Sequence, residues 1–263
     1  MNLPLAVIFY RIDIFILILV RMSGLFVISP IFGRRNIPSY FKIGFAFMVS
    51  LILVNIVEIP NPDYYDNIYS YVFLVIKEFL VGLSLGFISY AMFSAIYLAG
   101  QLIDMQIGFG MVNVLDPISN IQVPITSNFY FILGMLVFLA INGQHVLIKA
   151  LFDSYNYVQL GSVTINDSLL EDFIRIFGGM FITGFKIAAP ITAAVLISDV
   201  TLGILSKTVP QLNVFVVGLP FKTILGIVVM MISIPAFIML LEALFNDMNS
   251  EMYNLLKDMG TLG

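Results

Sequence analysis

The sequence contains no cysteine, only one histidine and few charged residues. The absence of cysteine excludes disulfides, iron–sulfur clusters and thiolate metal sites. A single histidine, His145, cannot form the two-histidine motif of metalloproteases, and no Gly-Lys-Ser or Gly-Lys-Thr of a phosphate-binding loop occurs. The charges form no basic cluster, so nothing indicates nucleic-acid binding. We therefore expect no resident metal, no cofactor and no nucleic-acid partner.

Apolar residues take the place of the missing charges. The chain is 60% hydrophobic and 11% charged, whereas soluble domains are about 45–50% apolar and about 25% charged. The core of a 263-residue globule cannot hide this excess. The composition therefore predicts a polytopic membrane protein. The apolar N-terminal stretch lacks the basic start of a cleavable signal, and we expect it to be retained.

Long apolar segments predict an all-α protein of membrane-type helical hairpins, since a spanning helix needs about 20 mostly apolar residues. Prolines and glycines interrupt the last two segments, at Pro190, Pro220 and Pro235 among others. Broken segments occur in transporters and pores, but proline and glycine are also frequent in ordinary membrane helices. About six segments qualify: 8–31, 40–57, 71–98, 127–151, 173–205 and 212–245.

The connection Ala99–Asn128 is apolar, rich in glycine and free of Lys and Arg. Such a connection within a membrane protein indicates backbone that is sheltered by protein or lines a cavity. We interpret it as a gate segment, and a re-entrant or interfacial loop is the alternative. The residues expected to form the gate are Gln101, Asp104, Met105, Gln106, Gly108, Phe109, Gly110, Met111, Asp116 and Pro117.

Six of the charged residues inside the apolar segments are candidates for a function in the membrane, and a charged residue costs about 2.5–3.5 kcal/mol at a helix centre. We expect them to face protein or water and to form pairs. Glu78 could act in a structural ion pair, in a contact with another subunit, or as the proton-relay acid of an ion-coupled carrier. His145 could be a hydrogen-bonded interfacial residue or a pH sensor. The six are Arg21, Lys77, Glu78, Lys186, Asp199 and Lys222.

Residues 82–86 spell the G-x-S-x-G pattern of a hydrolase nucleophile. That motif requires a strand-to-helix turn in a soluble α/β sheet, whereas this one lies in the middle of an apolar segment. Gly82 and Gly86 are more consistent with a G-x-x-x-G face for close helix packing. We found no usable catalytic set and expect no enzymatic activity.

Residues 166–171 predict the start of a helix in the most polar part of the chain. Ser168 and Glu171 have the spacing of a capping box. The apolar residues that follow recur with helical period. The expected helix therefore begins near Ser168 and continues into the fifth apolar segment.

Several dispersed motifs resemble the FliR family of flagellar export-gate proteins, whose virulence-secretion counterpart is the SctT family. The resemblance covers nearly the whole chain and keeps the motifs in order. One departure is Gln144, where the family often has a second histidine, which weakens a proton role for His145. The motifs are Arg21–Gly24, Ser29–Gly33, Ile37-Pro38, Glu78 with Gly82 and Gly86, Gly100–Asp104 with Gln106, Gly108 and Phe109, Asp116-Pro117, Asn142-Gly143 with His145, and Pro210–Phe215 with Gly218, Pro220 and Lys222.

This resemblance implies a channel subunit of the flagellar type III export gate in the bacterial inner membrane, within the flagellar basal body. It implies a FliP-like part at about 1–170 and a FliQ-like part at about 171–263. The expected partners are FliP-like and FliQ-like subunits in a hetero-oligomer, FlhB, FlhA, membrane lipid and unfolded export substrates in transit. Assembly and packing are expected to involve Glu78, Gly82, Gly86, Pro210, Gln211, Asn213 and Lys222.

The same resemblance places Gln106–Gln122 in the channel as a plug. Within that range we expect Gln106–Asn113 to move, with Gly108 and Gly110 flexible and with Met105, Phe109 and Met111 as the seal. Asp116-Pro117 is expected to be the fixed return. Two alternatives stay open: a gate subunit of a virulence (injectisome) system, and an ion-coupled secondary transporter that uses Glu78 and Asp199.

Overall fold

The computed structural model describes residues 5–33, 37–57, 68–109, 124–164, 166–211 and 213–260. Regular structure in these ranges is entirely α-helical, as the composition predicts. The helices are α1 (Leu5–Ile28), α2 (Ser39–Leu53), α3 (Ile68–Ile107), α4 (Ile125–Ala140), α5 (Gly143–Tyr157), α6 (Asp167–Thr208) and α7 (Val214–Met259).

Within the described ranges three helices, α3, α6 and α7, are long and apolar enough to cross a membrane. The number rises to four when α4 and α5 are taken as one broken span. With only 15 residues, α2 is shorter than a membrane span. The expectation of six spanning segments is therefore not confirmed. The three long helices contain 40, 42 and 46 residues. At 1.5 Å per residue they are about 60–70 Å long, twice the hydrocarbon thickness of about 30 Å.

The helix breaks do not lie at the prolines. The long helices α6 and α7 continue through Pro190, Pro220 and Pro235, so the predicted breaks at these residues are wrong. A proline removes one backbone hydrogen bond and can kink a helix without ending it, because neighbouring groups satisfy the freed carbonyl in a membrane protein. The break occurs instead inside the predicted segment 127–151, between α4 and α5. There Asn142 has a φ of 59°, a left-handed conformation that asparagine adopts more easily than most residues.

The start of α6 is capped by Asn166. The Asn166 side-chain oxygen accepts a hydrogen bond from the Leu169 N–H at 3.2 Å, and the helix begins at Asp167. The prediction of Ser168 as the capping residue is wrong by two positions. Asn166 has the short polar side chain that a helix start favours, and it lies at the required spacing from Leu169.

The chain forms two compact units. The first comprises Met1–Ala91, Asn142–Ile176 and Asn246–Gly263, and the second comprises Met92–Ile141 and Phe177–Phe245. The core of the second unit is aromatic, because the ring of Phe93 lies 5.5 Å from the rings of Phe131, Phe138 and Phe245. The division into a FliP-like and a FliQ-like part near residue 170 remains a prediction.

In the first unit, glycines bring α1 and α3 to backbone contact. A Cβ atom on Gly82 would collide with the Arg21 carbonyl group, and one on Gly24 would lie 2.6 Å from the Phe79 carbonyl oxygen. Within this helix Ser84 donates its hydroxyl to the Leu80 carbonyl at 2.8 Å, so the G-x-S-x-G stretch has no nucleophile-elbow geometry. The close approach brings Arg21 of α1 next to Glu78 of α3.

We predict that Gly82→Ala destabilises the protein, because the new methyl group must displace the backbone of α1. Overpacking of this kind costs about 1–3 kcal/mol. Gly179→Ala is the matched control: a Cβ there meets nothing within 4 Å, and helix propensity makes the change neutral or favourable by up to about 1 kcal/mol. Thermal unfolding of both variants by circular dichroism in mild detergent measures the difference. Equal melting temperatures would contradict the close packing.

Candidate gate site

The first predicted gate residues lie on a helix. Gln101, Asp104, Met105 and Gln106 occupy the last two turns of α3, which ends at Ile107. The expectation of a flexible connector from Ala99 onward is wrong for this part, because the helix continues through Gly100 and no further glycine or proline follows until Gly108. Gly108 and Phe109 come directly after the helix. Four other predicted gate residues lie outside the described residues: Gly110, Met111, Asp116 and Pro117.

Asp104 joins the end of α3 to the start of α4. Its carboxylate is buried and accepts hydrogen bonds from the Thr126 N–H at 2.9 Å and from the Ser127 N–H at 3.4 Å. These two N–H groups belong to the first turn of α4 and have no partner within their own helix. Pro124 precedes that turn and provides no side-chain cap. A carboxylate is also the charge that a helix N-terminus favours, so Asp104 caps α4 from another helix.

Gly100 permits this contact. It lies one turn before Asp104 and therefore on the same face of α3. A Cβ on Gly100 would lie 2.5 Å from the Ser127 nitrogen. The absence of a side chain at this position lets α3 and α4 approach closely enough for the carboxylate to reach the N–H groups.

The end of α3 is also held by α7. The Thr223 hydroxyl lies 3.3 Å from the Ile107 carbonyl and 3.0 Å from the Leu219 carbonyl of its own helix, so the two carbonyls share its single proton. A Cβ on Gly226 would lie 2.5 Å from the Ile107 side chain. Gly108 then leaves the helix with a φ of 96°, a left-handed conformation typical of a glycine after a helix end. We call this arrangement the neck and define it as Gly100, Asp104, Ile107, Gly108, Thr126, Ser127 and Thr223.

The neck holds both ends of the connection that the sequence predicts as the plug. Asp104 and Thr126 are separated by 22 positions along the chain, and their hydrogen bond closes the loop between them. The other predicted gate side chains are not part of this contact. Met105 is 74% exposed, Gln101 is exposed, and Gln106 and Phe109 are half-buried.

Asp199 of α6 and Lys222 of α7 form an ion pair. The sequence predicts that such charges pair, but it does not select these two partners. The pair lines a cleft of about 300 Å³, together with Leu219 and four other residues. Leu219 also lies against Gly108, since a Cβ on Gly108 would be 3.0 Å from its side chain. The cleft therefore adjoins the neck.

The remaining predicted assembly residues lie in the exposed turn between α6 and α7. Pro210 and Gln211 are exposed in the turn itself. Asn213 caps the start of α7, with its side-chain oxygen 3.4 Å from the Val216 N–H.

A fully buried ion pair lies in the first unit. Arg21 donates through Nε to Glu78 at 2.6 Å, and both side chains have no exposed surface. Arg21 also donates to the Ser154 hydroxyl at 3.0 Å and to the Val158 carbonyl at 3.1 Å. The second oxygen of Glu78 accepts from the Gly161 N–H at 2.8 Å.

Sequence reasoning missed the specific partnership of Arg21 with Glu78. The sequence predicts no partner for Glu78. Its neighbour Lys77 is not the partner, because the Lys77 ammonium group donates to the Gly161 carbonyl at 3.3 Å. The signal that could have identified Arg21 was its position, since it is the last charge before the small residues Ser23 and Gly24 in the first apolar segment. The pair and its partners join α1, α3, α5 and the turn that follows α5.

His145 is exposed at the start of α5, and its Nδ1 atom lies 3.1 Å from the Gln144 side-chain nitrogen. No group of three or more His, Asp or Glu side chains in the described ranges could hold a metal ion. The polar groups of the neck and of the Arg21–Glu78 pair hold the backbone in place.

Comparison with known proteins gives one family over most of the chain. A family model described as "Bacterial export proteins, family 1" matches residues 12–248. The chain is 36% identical to the flagellar biosynthetic protein FliR of Bacillus subtilis (strain 168) over 249 residues, which cover 94% of this chain and 95% of the relative.

Two further relatives show the range of the similarity. The identity to the flagellar biosynthetic protein FliR of Escherichia coli (strain K12) is 29% over 240 residues, covering 91% and 90% of the two chains. The identity to the surface presentation of antigens protein SpaR of Shigella flexneri is 28% over 231 residues, covering 85% and 88%.

We predict that Asp104→Ala loosens the start of α4 because it removes the acceptor of the Thr126 and Ser127 N–H groups. Leaving buried donors without partners costs about 1–3 kcal/mol. Hydrogen exchange followed by mass spectrometry should show faster exchange in peptides that cover residues 124–130. Asp247→Ala, at an exposed position, is the control and should leave this region unchanged. Unchanged exchange in Asp104→Ala would show that the capping contact does not hold the neck.

We also predict that Glu78→Gln strongly destabilises the first unit, because it leaves the buried Arg21 guanidinium without its counter-charge. Breaking a buried pair on one side costs about 3–5 kcal/mol. Glu242→Gln, at an exposed position, is the matched control. Thermal unfolding measures the difference. If Glu78→Gln unfolded like the parent protein, the interpretation of Arg21–Glu78 as a structural ion pair would be wrong.

Proposed function

This chain belongs to the family of bacterial export proteins, family 1, and is a component of a type III export apparatus, and from that premise we propose that it is a channel subunit of the flagellar export gate. In this role it passes unfolded export substrates and is needed for flagellum assembly. The observation that carries the proposal is the neck, which closes the base of the apolar connection between α3 and α4.

The proposed gate mechanism separates a fixed base from a moving part. The carboxylate of Asp104, the backbone of α4 and the hydroxyl of Thr223 hold the base. The proposed plug, Gln106–Asn113, begins at the last turn of α3 and continues past Gly108. It is apolar and contains no cation, a composition suited to sealing a narrow channel against ions. Release of an export substrate requires the plug to move while the base stays in place.

The proposed partners are FliP-like and FliQ-like subunits, with FlhB and FlhA next to them in the bacterial inner membrane at the flagellar basal body. Support comes from the apolar faces of the long helices. In the apolar 18-residue stretch of α6, only 28% is buried within this chain. In the corresponding stretch of α7, only 17% is buried. Such faces require lipid or other subunits as neighbours.

A flagellar role is favoured over a virulence role by similarity. The identity to FliR of Bacillus subtilis is 36%, whereas the identity to SpaR of Shigella flexneri is 28%. A gate subunit of a virulence secretion system is the second candidate. Genes for flagellar rod, hook and filament proteins next to the coding sequence would separate the two.

The ion-coupled transporter has less support. Its two proposed carboxylates are both engaged with cations, Glu78 with Arg21 and Asp199 with Lys222. Both Glu78 oxygens accept hydrogen bonds, so a proton carrier at this site would first have to break them. We further propose that the subunit carries out no catalysis, since its buried polar groups hold helices together.

We predict that deleting Gly110 to Asn113 leaves the gate assembled but leaky. The deletion keeps Gly108 and the rest of the neck while it removes half of the proposed plug. The measurement is ion and small-molecule entry into cells that express the variant, together with recovery of FliP-like and FliQ-like subunits through a tag on this chain. A same-length replacement of residues 110–113 by Gly and Ser is the matched control for chain length and should leak less.

Two outcomes would contradict the proposal. A deletion variant that stays tight and loses uptake of a small solute would favour the transporter. Recovery of the parent chain alone, as a monomer or homodimer in mild detergent, would oppose a hetero-oligomeric gate.

A further inference from the structure

Lys186 of α6 is the one candidate membrane charge that has no partner among the described residues. Four of the other five form the two ion pairs described above, and Lys77 donates to a backbone carbonyl. Lys186 is exposed and forms neither a hydrogen bond nor an ion pair with any described residue. It lies well inside the apolar segment 173–205, where an unpaired charge is unfavourable. The cation therefore requires a neighbour from outside the chain.

The side of α6 that carries Lys186 has little cover within the described part of the chain. Ile182 and Ile197 on this side are 58% and 69% exposed, whereas Ile191 and Val195 on the opposite side are completely buried. The helix thus packs within the second unit on one side and offers the other side to a neighbour. We call the outward side the lysine face and define it as Gly179, Ile182, Lys186, Ala189, Ala193 and Ile197.

Small residues flank Lys186 along the lysine face. Gly179 precedes it and Ala193 follows it, each by seven positions, which is about two helical turns, so the three residues share one line on the helix. A Cβ atom on Gly179 would meet nothing within 4 Å, and Ala193 is exposed. Small residues at such positions let a second membrane helix approach closely. The lysine face therefore has room for the backbone of another helix.

Lipid alone cannot satisfy the lysine face at any depth in the bilayer. The two ends of the segment 173–205 lie about 20 Å and about 28 Å from Lys186 along the helix, and the hydrocarbon is about 30 Å thick. If Lys186 lies at the headgroups, where a phosphate meets it, the bilayer covers the apolar residues on one side of it only. Either Ile174 or Ile204, which are 65% and 60% exposed, is then outside the hydrocarbon. If Lys186 lies deeper, its ammonium group is in the hydrocarbon.

We propose that the lysine face binds an apolar helix of another subunit, and that this helix carries one Asp or Glu opposite Lys186. The carboxylate pairs with the Lys186 ammonium, and the partner backbone lies against Gly179 and Ala193. Charge disfavours a second copy of this chain, because two lysine faces related by a two-fold axis would place Lys186 against Lys186. The proposal requires only that the chain assembles with other membrane proteins, and it does not depend on the gate role.

A zero-length cross-link tests the pair directly in membranes from cells that express the full chain. Dicyclohexylcarbodiimide is apolar, activates carboxyl groups within membranes and joins them to an adjacent amine as an amide. Mass spectrometry then identifies the peptides joined to Lys186. We expect a cross-link to an Asp or Glu inside an apolar segment of a different chain. Lys186→Arg removes the reactive amine and should abolish the cross-link.

Replacement of the charge tests the strength of the pair in the assembly that co-purifies with a tag on this chain. Lys186→Glu places two acids together, and recovery of the cross-linked subunit should fall at least about tenfold, as expected when a buried charge pair is broken. Lys186→Met should also lower recovery, because it leaves the partner carboxylate unpaired, whereas Lys186→Arg should preserve it. Lys207→Glu, at an exposed cation in the last turn of the same helix, is the matched control and should leave recovery unchanged. Circular dichroism verifies that each variant is helical.

Exchange of the two charges gives the final comparison. Lys186→Asp should be rescued when the partner carboxylate is replaced by Lys, and absence of rescue would overturn the pairing. Recovery with Lys186→Met equal to that of the parent would show that lipid or water holds the ammonium group, and it would overturn the proposal. A cross-link only to a second copy of this chain, or to no protein in an assembly that still co-purifies, would overturn it while leaving the gate role standing.

Discussion

Arg21 can be buried completely only because the protein replaces its entire hydration shell. The replacement consists of the Glu78 carboxylate, the Ser154 hydroxyl, the Val158 carbonyl and the ring of Tyr155, whose centroid lies 4.2 Å from the guanidinium carbon. An unpaired ion in an apolar interior is far too costly to tolerate. The pair therefore requires α1, α3 and α5 to be in place together, and Gly24 and Gly82 leave the room for it.

In the second unit, too, buried polar groups need partners in place of water. There the partners are a carboxylate and backbone groups. Asp104 accepts hydrogen bonds from N–H groups at the start of α4. The Thr223 hydroxyl lies within hydrogen-bond distance of the carbonyl at the end of α3. In both units a glycine faces the backbone of the neighbouring helix one turn from the acid: Gly82 follows Glu78, and Gly100 precedes Asp104. A small residue and an acid on one helix face thus produce two different contacts, an ion pair and a helix cap.

The sequence predicts approximately where the helices lie. It does not predict which residues of different helices contact each other. Hydrophobic composition is a property of each segment alone, so the helical class and the approximate segments could be read directly. Glu78 and Arg21 are 57 positions apart, and no local pattern encodes that pairing. The prolines misled because a proline disturbs only one hydrogen bond. The break lies instead at Asn142-Gly143, a dipeptide typical of turns, whose signal is masked by the long apolar run around it.

At the candidate site, too, the sequence predicts local features but not the contacts between helices. Glycine spacing and the absence of cations identified the stretch around Gly108, whereas helical structure up to Ile107 and the contact of Asp104 with α4 needed tertiary information. From the sequence, Asp104 is only one of ten predicted gate residues, and no role is predicted for Thr223. A hydroxyl that caps a distant carbonyl cannot be distinguished in sequence from one that bonds within its own helix.

The length of α3, α6 and α7 has a consequence for the life of the protein in the cell. Each helix is about twice as long as the lipid core is thick, so lipid alone cannot cover its whole length. The end of α7 is buried within this chain, whereas most of the apolar stretch of α6 and of α7 is not and needs another cover. A newly made copy that has not joined its complex leaves these apolar faces uncovered. It is then open to the proteases that remove unassembled chains. We therefore expect the amount of this protein to depend on the supply of the chains that cover these faces.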